Sequence, residues 1–358
     1  MKALIFCLTM AAVVASTAGP LAAQGTFTGL GSRDSYVSGM SADGSIVVGV
    51  RGNDGPAFRW TADGGAVDIG SVSQQTKISR DGKVIVGSAQ DAKGITSAAI
   101  WQGGTQWRTL GGTPNGRVQD NTLSSAWGVS ADGSVIVGLA WVKPTGGHGF
   151  RWDAVNGMVD LGSFQNKSSR ASAVSGDGHV AVGWNENSTW DGALYSWIGS
   201  MWWQGMQRFL NPFGWIGQGE GVNDSGSVIV GRGHPSFPRH AYRFTAWDGA
   251  VIELGAIPRG FTPNVQDQED QSIAFGVSDD GTVVVGSSGW KPPTDAFIWT
   301  PDTKMVKLKD YLKDKGVSGI EGWTLLVANS VSPDGKIIAG TGINEVKQEV
   351  EGWIVKLQ

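Results

Sequence analysis

The chain has 358 residues, with 28 basic against 32 acidic side chains and a net charge of −4. That balance offers no basic patch of the kind phosphate neutralisation demands, so nucleic acid is excluded as a partner. One cysteine rules out a disulfide framework and a thiolate metal site, while 55 glycines and 17 tryptophans call for many tight turns and many large rings to bury, the signature of an all-β protein built from repeated hairpins.

Residues 1–23 read as a secretory signal: Lys2 gives a positive start, residues 3–14 an apolar run, and Ala18, Ala22 and Ala23 small residues before a cleavage point. The run is too short to span a bilayer, and later apolar runs are broken every few residues by Gly, Asp or Ser, so no membrane insertion is expected. The reading is export to the periplasm or the exterior, with residues 24–358 as the mature domain.

Within that domain one unit recurs seven times. It begins as Ser41-Ala42-Asp43-Gly44 and runs through an apolar strand to Gly49; the other copies turn at 79–82, 130–133, 175–178, 223–226, 278–281 and 332–335, and the two glycines are five apart in each. Ser or Asn first, Asp third and Gly fourth is the chemistry of a type I turn closed by a residue of positive φ, which makes each copy a β-hairpin and leaves no calcium loop to invoke. The strand after the turn (Ile46-Val47-Val48, Val135-Ile136-Val137 and so on) is apolar without alternation, so both faces of its sheet must be covered.

A third strand follows and ends in an aromatic at Trp60, Trp101, Trp152, Trp197, Phe244, Trp299 and Trp353, all expected in the core. A short fourth strand ends on an apolar residue and Gly, as in Val67-Asp68-Ile69-Gly70. The seventh copy lacks this fourth strand, and Phe27-Thr28-Gly29-Leu30-Gly31 carries its signature before the first hairpin. Repeats of 38 to 55 residues between turn glycines suit blades rather than solenoid coils. The expected architecture is therefore a seven-bladed β-propeller of four-stranded antiparallel blades, closed by the N-terminal strand completing the last blade, which removes an exposed sheet edge.

These residues resemble the bacterial extracellular HAF repeats, named for His-Ala-Phe at the third strand: His240-Ala241-Tyr242 is the closest match, beside Ala57-Phe58 and Ala296-Phe297. The resemblance covers roughly residues 27–358 and implies export and a propeller-like fold; it brings no reaction and no catalytic residues.

In a four-stranded meander the first-to-second hairpins share one face, here uniformly short. The opposite face carries the second-to-third and blade-to-blade loops, long and unequal, and is the expected binding face. Trp141, Trp184, Trp190 and Trp290 lie outside the repeat positions in or beside those loops, where indole rings either stack on sugars or a partner's side chains or simply cap blade ends. His234, beside Pro235, joins them as a candidate ligand-binding residue, and Trp202, Trp203, Phe213 and Trp215 form a further aromatic cluster. No pair of the four histidines has zinc spacing, so neither metal nor cofactor is expected. The acidic stretch 267–270 has oxygen ligands of the kind calcium takes, but reads first as a solvated loop. No nucleophile elbow, phosphate loop or dinucleotide motif is present. The sequence thus reads as an exported, monomeric, non-catalytic propeller that binds a glycan or a protein. A carbohydrate-active lyase or hydrolase whose carboxylates meet over the axis, and a purely structural surface protein, are the alternatives.

Overall fold

The computed structural model describes residues 25–52, 55–144, 146–187, 196–210, 216–233, 239–258, 271–289 and 293–358. The signal-like segment 1–23 lies outside them. Seven four-stranded antiparallel sheets form the blades of a propeller, and in six of them the strands hydrogen-bond in chain order. The seventh takes Trp323–Val331, Ile337–Asn344 and Glu349–Leu357 from the C-terminal end, with Gly25–Arg33 as its outermost strand. Phe27 pairs with Val355 and Thr28 with Ile354 in that closing ladder, so the ring is joined by backbone hydrogen bonds between the two ends of the domain. The first strand of each blade is innermost and packs on the first strands of its neighbours, that of blade seven against that of blade one.

The Ser-x-Asp-Gly turns do what their chemistry requires. Ser41 Oγ accepts the amide of Ile46 at 3.0 Å and donates to Asp43 Oδ1, Asp43 Oδ1 accepts the amide of Ser45 at 2.9 Å, and Gly44 has a φ of 63°. In the fifth copy Asn223 Oδ1 replaces the serine as acceptor for Val228. Hydrogen bonds from the Ser45 amide and the two serine hydroxyls hold the Asp43 carboxyl down at about 2. The turns also bond to one another round the axis, Ala42 to Arg80, Ala131 to Gly176, Asp177 to Asp224 and Asp279 to Pro333.

The second glycine of the unit answers a different need. A Cβ on Gly138 would stand 1.9 Å from the carbonyl oxygen of Ser125 and 2.7 Å from the Phe150 ring. A β-bulge in the first strand, between Ala126 and Gly128, swings that carbonyl inward, and the third-strand ring opposite fills the rest. The intervening strand is apolar on both faces because both are covered: Val47 and Val48, Ile136 and Val137, Val284 and Val285 are fully buried.

Two expectations are corrected. The residue that pairs with the second strand two before its glycine is Trp60, Trp101, Trp152, Phe244 and Trp299 in five blades, but Trp202 in blade four and Val355 in blade seven. The hairpin of blade four has strands Val180–Asn187 and Ser196–Trp203, and Trp197 lies at its loop end, opposite Glu186. Trp353 instead stands opposite Gly340, where other blades have Phe58, Phe150 or Phe297. The repeat tryptophans are also not uniformly core: Trp353, Trp202, Trp60 and Trp299 are buried, Trp101, Trp152 and Trp197 half-buried. Finally, an α-helix, Leu308–Asp314, stands before the last blade. Its i,i+4 pair Leu308 and Leu312 is fully buried, and Val317 and Ile320 beyond it pack with Phe27, Trp323 and Trp353 under the closing strand.

Candidate functional site

The axial channel is where residues from every blade converge. Its lining comes from the first strands, including Ser38, Lys77, Trp127, Ser172, Glu220, Phe275 and Asn329, and it encloses about 150 Å³. Most of these are bulge residues, the extra residue of the first strand at the register shifts 37/39, 126/128, 171/173, 219/221, 274/276 and 328/330. A bulge turns its unpaired residue out of the ladder, here toward the axis.

At the hairpin end the channel is crossed by an ion cluster. Arg80 of the second turn reaches Asp279 at 2.7 Å and has Nε 2.9 Å from Asp224 Oδ1, on the sixth and fifth turns. The Asp224 contact is off line for a hydrogen bond, and Oδ1 has no other partner. Burial raises the Asp224 carboxyl to about 6; Arg80 opposes the rise, and Asp279 and Asp177 add to it. Two carboxylates from different blades do meet near the axis, then, tied together by one guanidinium.

Toward the loop face a second cluster forms. Arg170 lies flat over Trp127, Cζ 3.9 Å from the ring centroid, with Trp184 at 5.7 Å on another side and Glu220 Oε2 4.0 Å from Nη2. Trp184 and Trp197 have ring centroids 5.5 Å apart, and Arg232 stands 6.0 Å from Trp197 while donating to Gln218 Oε1 at 2.9 Å. Tyr242 Oη donates to the Gln218 carbonyl at 2.6 Å, fixing the strand between them. Lys77 Nζ donates to the Ser38 carbonyl at 2.8 Å. The Lys77 side chain keeps some opening to the channel, but protein packs round it as in an interior. That burial brings its ammonium down to about 8 against the pull of Glu220. Burial likewise lowers Arg170 and Arg232, and Glu220 opposes both shifts. Trp184 Nε1 and Asn329 Oδ1 are buried without a hydrogen-bond partner.

Of the residues singled out in the sequence, Trp184 belongs to this cluster. Trp141 ends the strand Ile136–Trp141, its carbonyl accepting from Arg117 at 2.9 Å and its ring 5.8 Å from the Arg117 guanidinium, so it packs under the loop between blades two and three. Trp190, Trp290 and His234 lie outside the described residues, as do Phe213, Trp215 and the stretch 267–270. Trp202 is interior, whereas Trp203 packs edge-on to Trp247 at 5.4 Å. His148 is held between Asp160 at 3.0 Å and Ser163 at 3.2 Å, and His240 pairs with Glu253. Among the described residues no group of three or more His, Cys, Asp or Glu is placed to hold a metal. Lys77, Trp127, Arg170, Glu220 and Arg232 were not anticipated. Counting three residues back from the turn Ser or Asn lands on Trp127 and Glu220, and the next column holds Lys77.

Fold and channel define a closed seven-bladed β-propeller with a polar, aromatic-rimmed axis. No family model and no curated protein sequence matches the chain. Among solved structures it is similar to an oligogalacturonate lyase in complex with manganese (TM-score 0.54, 14% identity, 93% of each chain). It is also similar to the β-propeller domain of the Trilobed protease from Pyrococcus furiosus, described as having an open velcro topology (TM-score 0.53, 11% identity, 89% of this chain and 93% of that one). TolB from Acinetobacter baumannii matches 78% of this chain at 13% identity and a TM-score of 0.44, and the chain spans 63% of that protein. At these identities the likeness is one of fold alone. Where that domain is described as open, the ring here is closed by the pairing of Gly25–Arg33 with Glu349–Leu357.

Proposed function

We propose that the chain is a non-catalytic, exported binding module whose ligand, a glycan, enters the axial channel from the loop face. The observation that carries this reading is the group of Trp127 and Trp184 rings packed on Arg170, with Trp197 beside Trp184 and Trp127 lining the channel. Flat indoles beside fixed polar groups are what a sugar ring needs from a site, apolar stacking for its C–H face and hydrogen bonds for its edge. A cavity near 150 Å³ accepts a group of one-ring size, which favours a sugar unit over a peptide segment.

Catalysis would call for free carboxylates beside the ligand. The pair that converges, Asp224 and Asp279, sits at the hairpin end and is engaged by Arg80, which supports a structural role for it. Export rests on residues 1–23 and the HAF-like repeats.

The test is a polysaccharide and oligosaccharide panel that scores binding and product release together. The expected result is binding without product, lost in Trp184→Ala and kept in Trp141→Ala. Released product would overturn the non-catalytic reading, and binding untouched by Trp184→Ala would move the site off the axis.

A further inference from the structure

Two columns of side chains fill the gaps between blades. The middle residue of each second strand packs toward the preceding blade: Val47 clusters with Ala339 and Ile354, Val284 with Val228 and Val230. That residue is Val or Ile in six blades and Ala181 in blade four. The residue before the third-strand aromatic packs toward the following blade, as Met201 does with Ile216 and Ile229. Where this residue is Arg243, its guanidinium spans the gap, Nε donating at 2.8 Å to the carbonyl of Gly281 on the next turn. Arg151 holds the same position in blade three but bonds to Asp153 of its own blade, whose Oδ1 is fixed by the amides of Val155 and Asn156 at 3.0 and 2.8 Å.

Ala181 and Arg151 stand on the two sides of one gap, that between blades three and four, and each departure takes material out of it. Both line a cavity of about 350 Å³, together with Val137, Leu161 and Trp202. It opens at the hairpin face beside Gly178 and Gln204. Apolar cavities of about 150 Å³ already take up benzene, and small-molecule sites begin near about 300 Å³, so a body of one or two rings fits. Packed sheets lie about 10 Å apart, which favours a flat one.

The open polar groups of this cavity are donors. Trp202 is buried among Val137, Ala181 and Leu161, yet its indole N–H has no acceptor among the described residues. Arg151 engages Asp153 through Nη1 alone among the described residues. The stretches of the ring outside the described residues are second-to-third or blade-to-blade connections, which belong to the opposite face. A buried donor is costly to leave unmet, and an acceptor-only group on a flat apolar body suits both donors.

We infer that the gap between blades three and four binds an aromatic carboxylate of one or two rings, its ring between the apolar walls and its carboxylate on the Arg151 guanidinium and the Trp202 N–H. This site is separate from the axial channel and does not depend on what enters there.

The experiment titrates the full chain with naphthoate, cinnamate and benzoate, and with uncharged naphthylmethanol and saturated cyclohexanecarboxylate for comparison. Calorimetry gives the affinity, and nuclear magnetic resonance follows the indole N–H signals, that of Trp202 being assigned by its loss in Trp202→Phe. The aromatic acids are expected to bind, naphthoate most tightly, and to shift the Trp202 signal, with naphthylmethanol at least tenfold weaker than naphthoate. Ala181→Ile, which supplies the bulk that the other blades carry, is expected to weaken naphthoate at least tenfold without lowering the melting temperature. Should circular dichroism show that Ala181→Ile does not fold, Arg151→Met carries the same expectation for binding. An unmoved Trp202 signal, or naphthoate binding retained in the folded variant, overturns the site. Naphthylmethanol binding as tightly as naphthoate, or cyclohexanecarboxylate as tightly as benzoate, overturns the ligand class.

Discussion

Replacing Phe27 by alanine tests whether the N-terminal strand holds the ring shut. Phe27 is 9% exposed, lies edge-on to Trp323 at 5.1 Å and stacks on Trp353 at 5.8 Å. Removing roughly 150 Å² of buried ring at about 25 cal/mol per Å² gives about 4 kcal/mol, within the range usual for Phe→Ala in a core. A loss of that size at Phe58 of blade one, which is fully buried, would lower overall stability in the same way. What distinguishes Phe27 is where the structure opens. Its strand is the sole cover on the outer edge of Glu349–Leu357, so Phe27→Ala should speed amide hydrogen exchange across residues 349–357 well before global unfolding, and Phe58→Ala should not. Urea unfolding supplies the total loss and exchange its location; light scattering reports the association that an uncovered edge invites. A loss below about 1 kcal/mol, or exchange at 349–357 no faster than in Phe58→Ala, would refute closure by this strand.

Gly138→Ala adds a methyl 1.9 Å from the Ser125 oxygen and is expected to cost more than about 4 kcal/mol or to abolish folding; a melt within a few degrees of the parent would show that the bulge relaxes. Asp224 carries a folded pKa of about 6, above the unfolded value near 4, so its stabilising contribution is complete below pH 4 and lost as pH rises through 6. Asp224→Asn should therefore be more stable than the parent at pH 8, by about 1 kcal/mol once its 36% side-chain exposure is allowed for, with the difference shrinking toward pH 4. A constant difference from pH 4 to 8 would show that the carboxyl does not titrate in that window.

The blades were legible in the sequence because their constraints are local. A turn that needs positive φ at Gly44, and a strand whose glycine must clear a carbonyl and a ring, leave marks at fixed spacing. The third strand was read less well: the longer hairpin of blade four shifts its register, and spacing from the turn pointed to Trp197 where the fold uses Trp202. The helix Leu308–Asp314 shows its period over barely two turns, too short to stand out. The channel residues were missed for another reason. Arg170, Glu220 and Lys77 come from three blades and are more than forty residues apart in sequence, so only the closed ring makes them neighbours. Their trace is a break in a column: small residues in six copies and lysine in one.

That break also separates the two ends of the axis. At the hairpin end one arginine faces two carboxylates, one of them protonated below about pH 6, and the cluster is matched by its own members. Toward the loop face, Glu220 opposes the lowering that burial imposes on Lys77, Arg170 and Arg232. At the residue after the bulge the other blades carry glycine, alanine or serine, where blade two carries Lys77. Burial works against the Lys77 ammonium at that position, while Glu220 and the Ser38 carbonyl work for it.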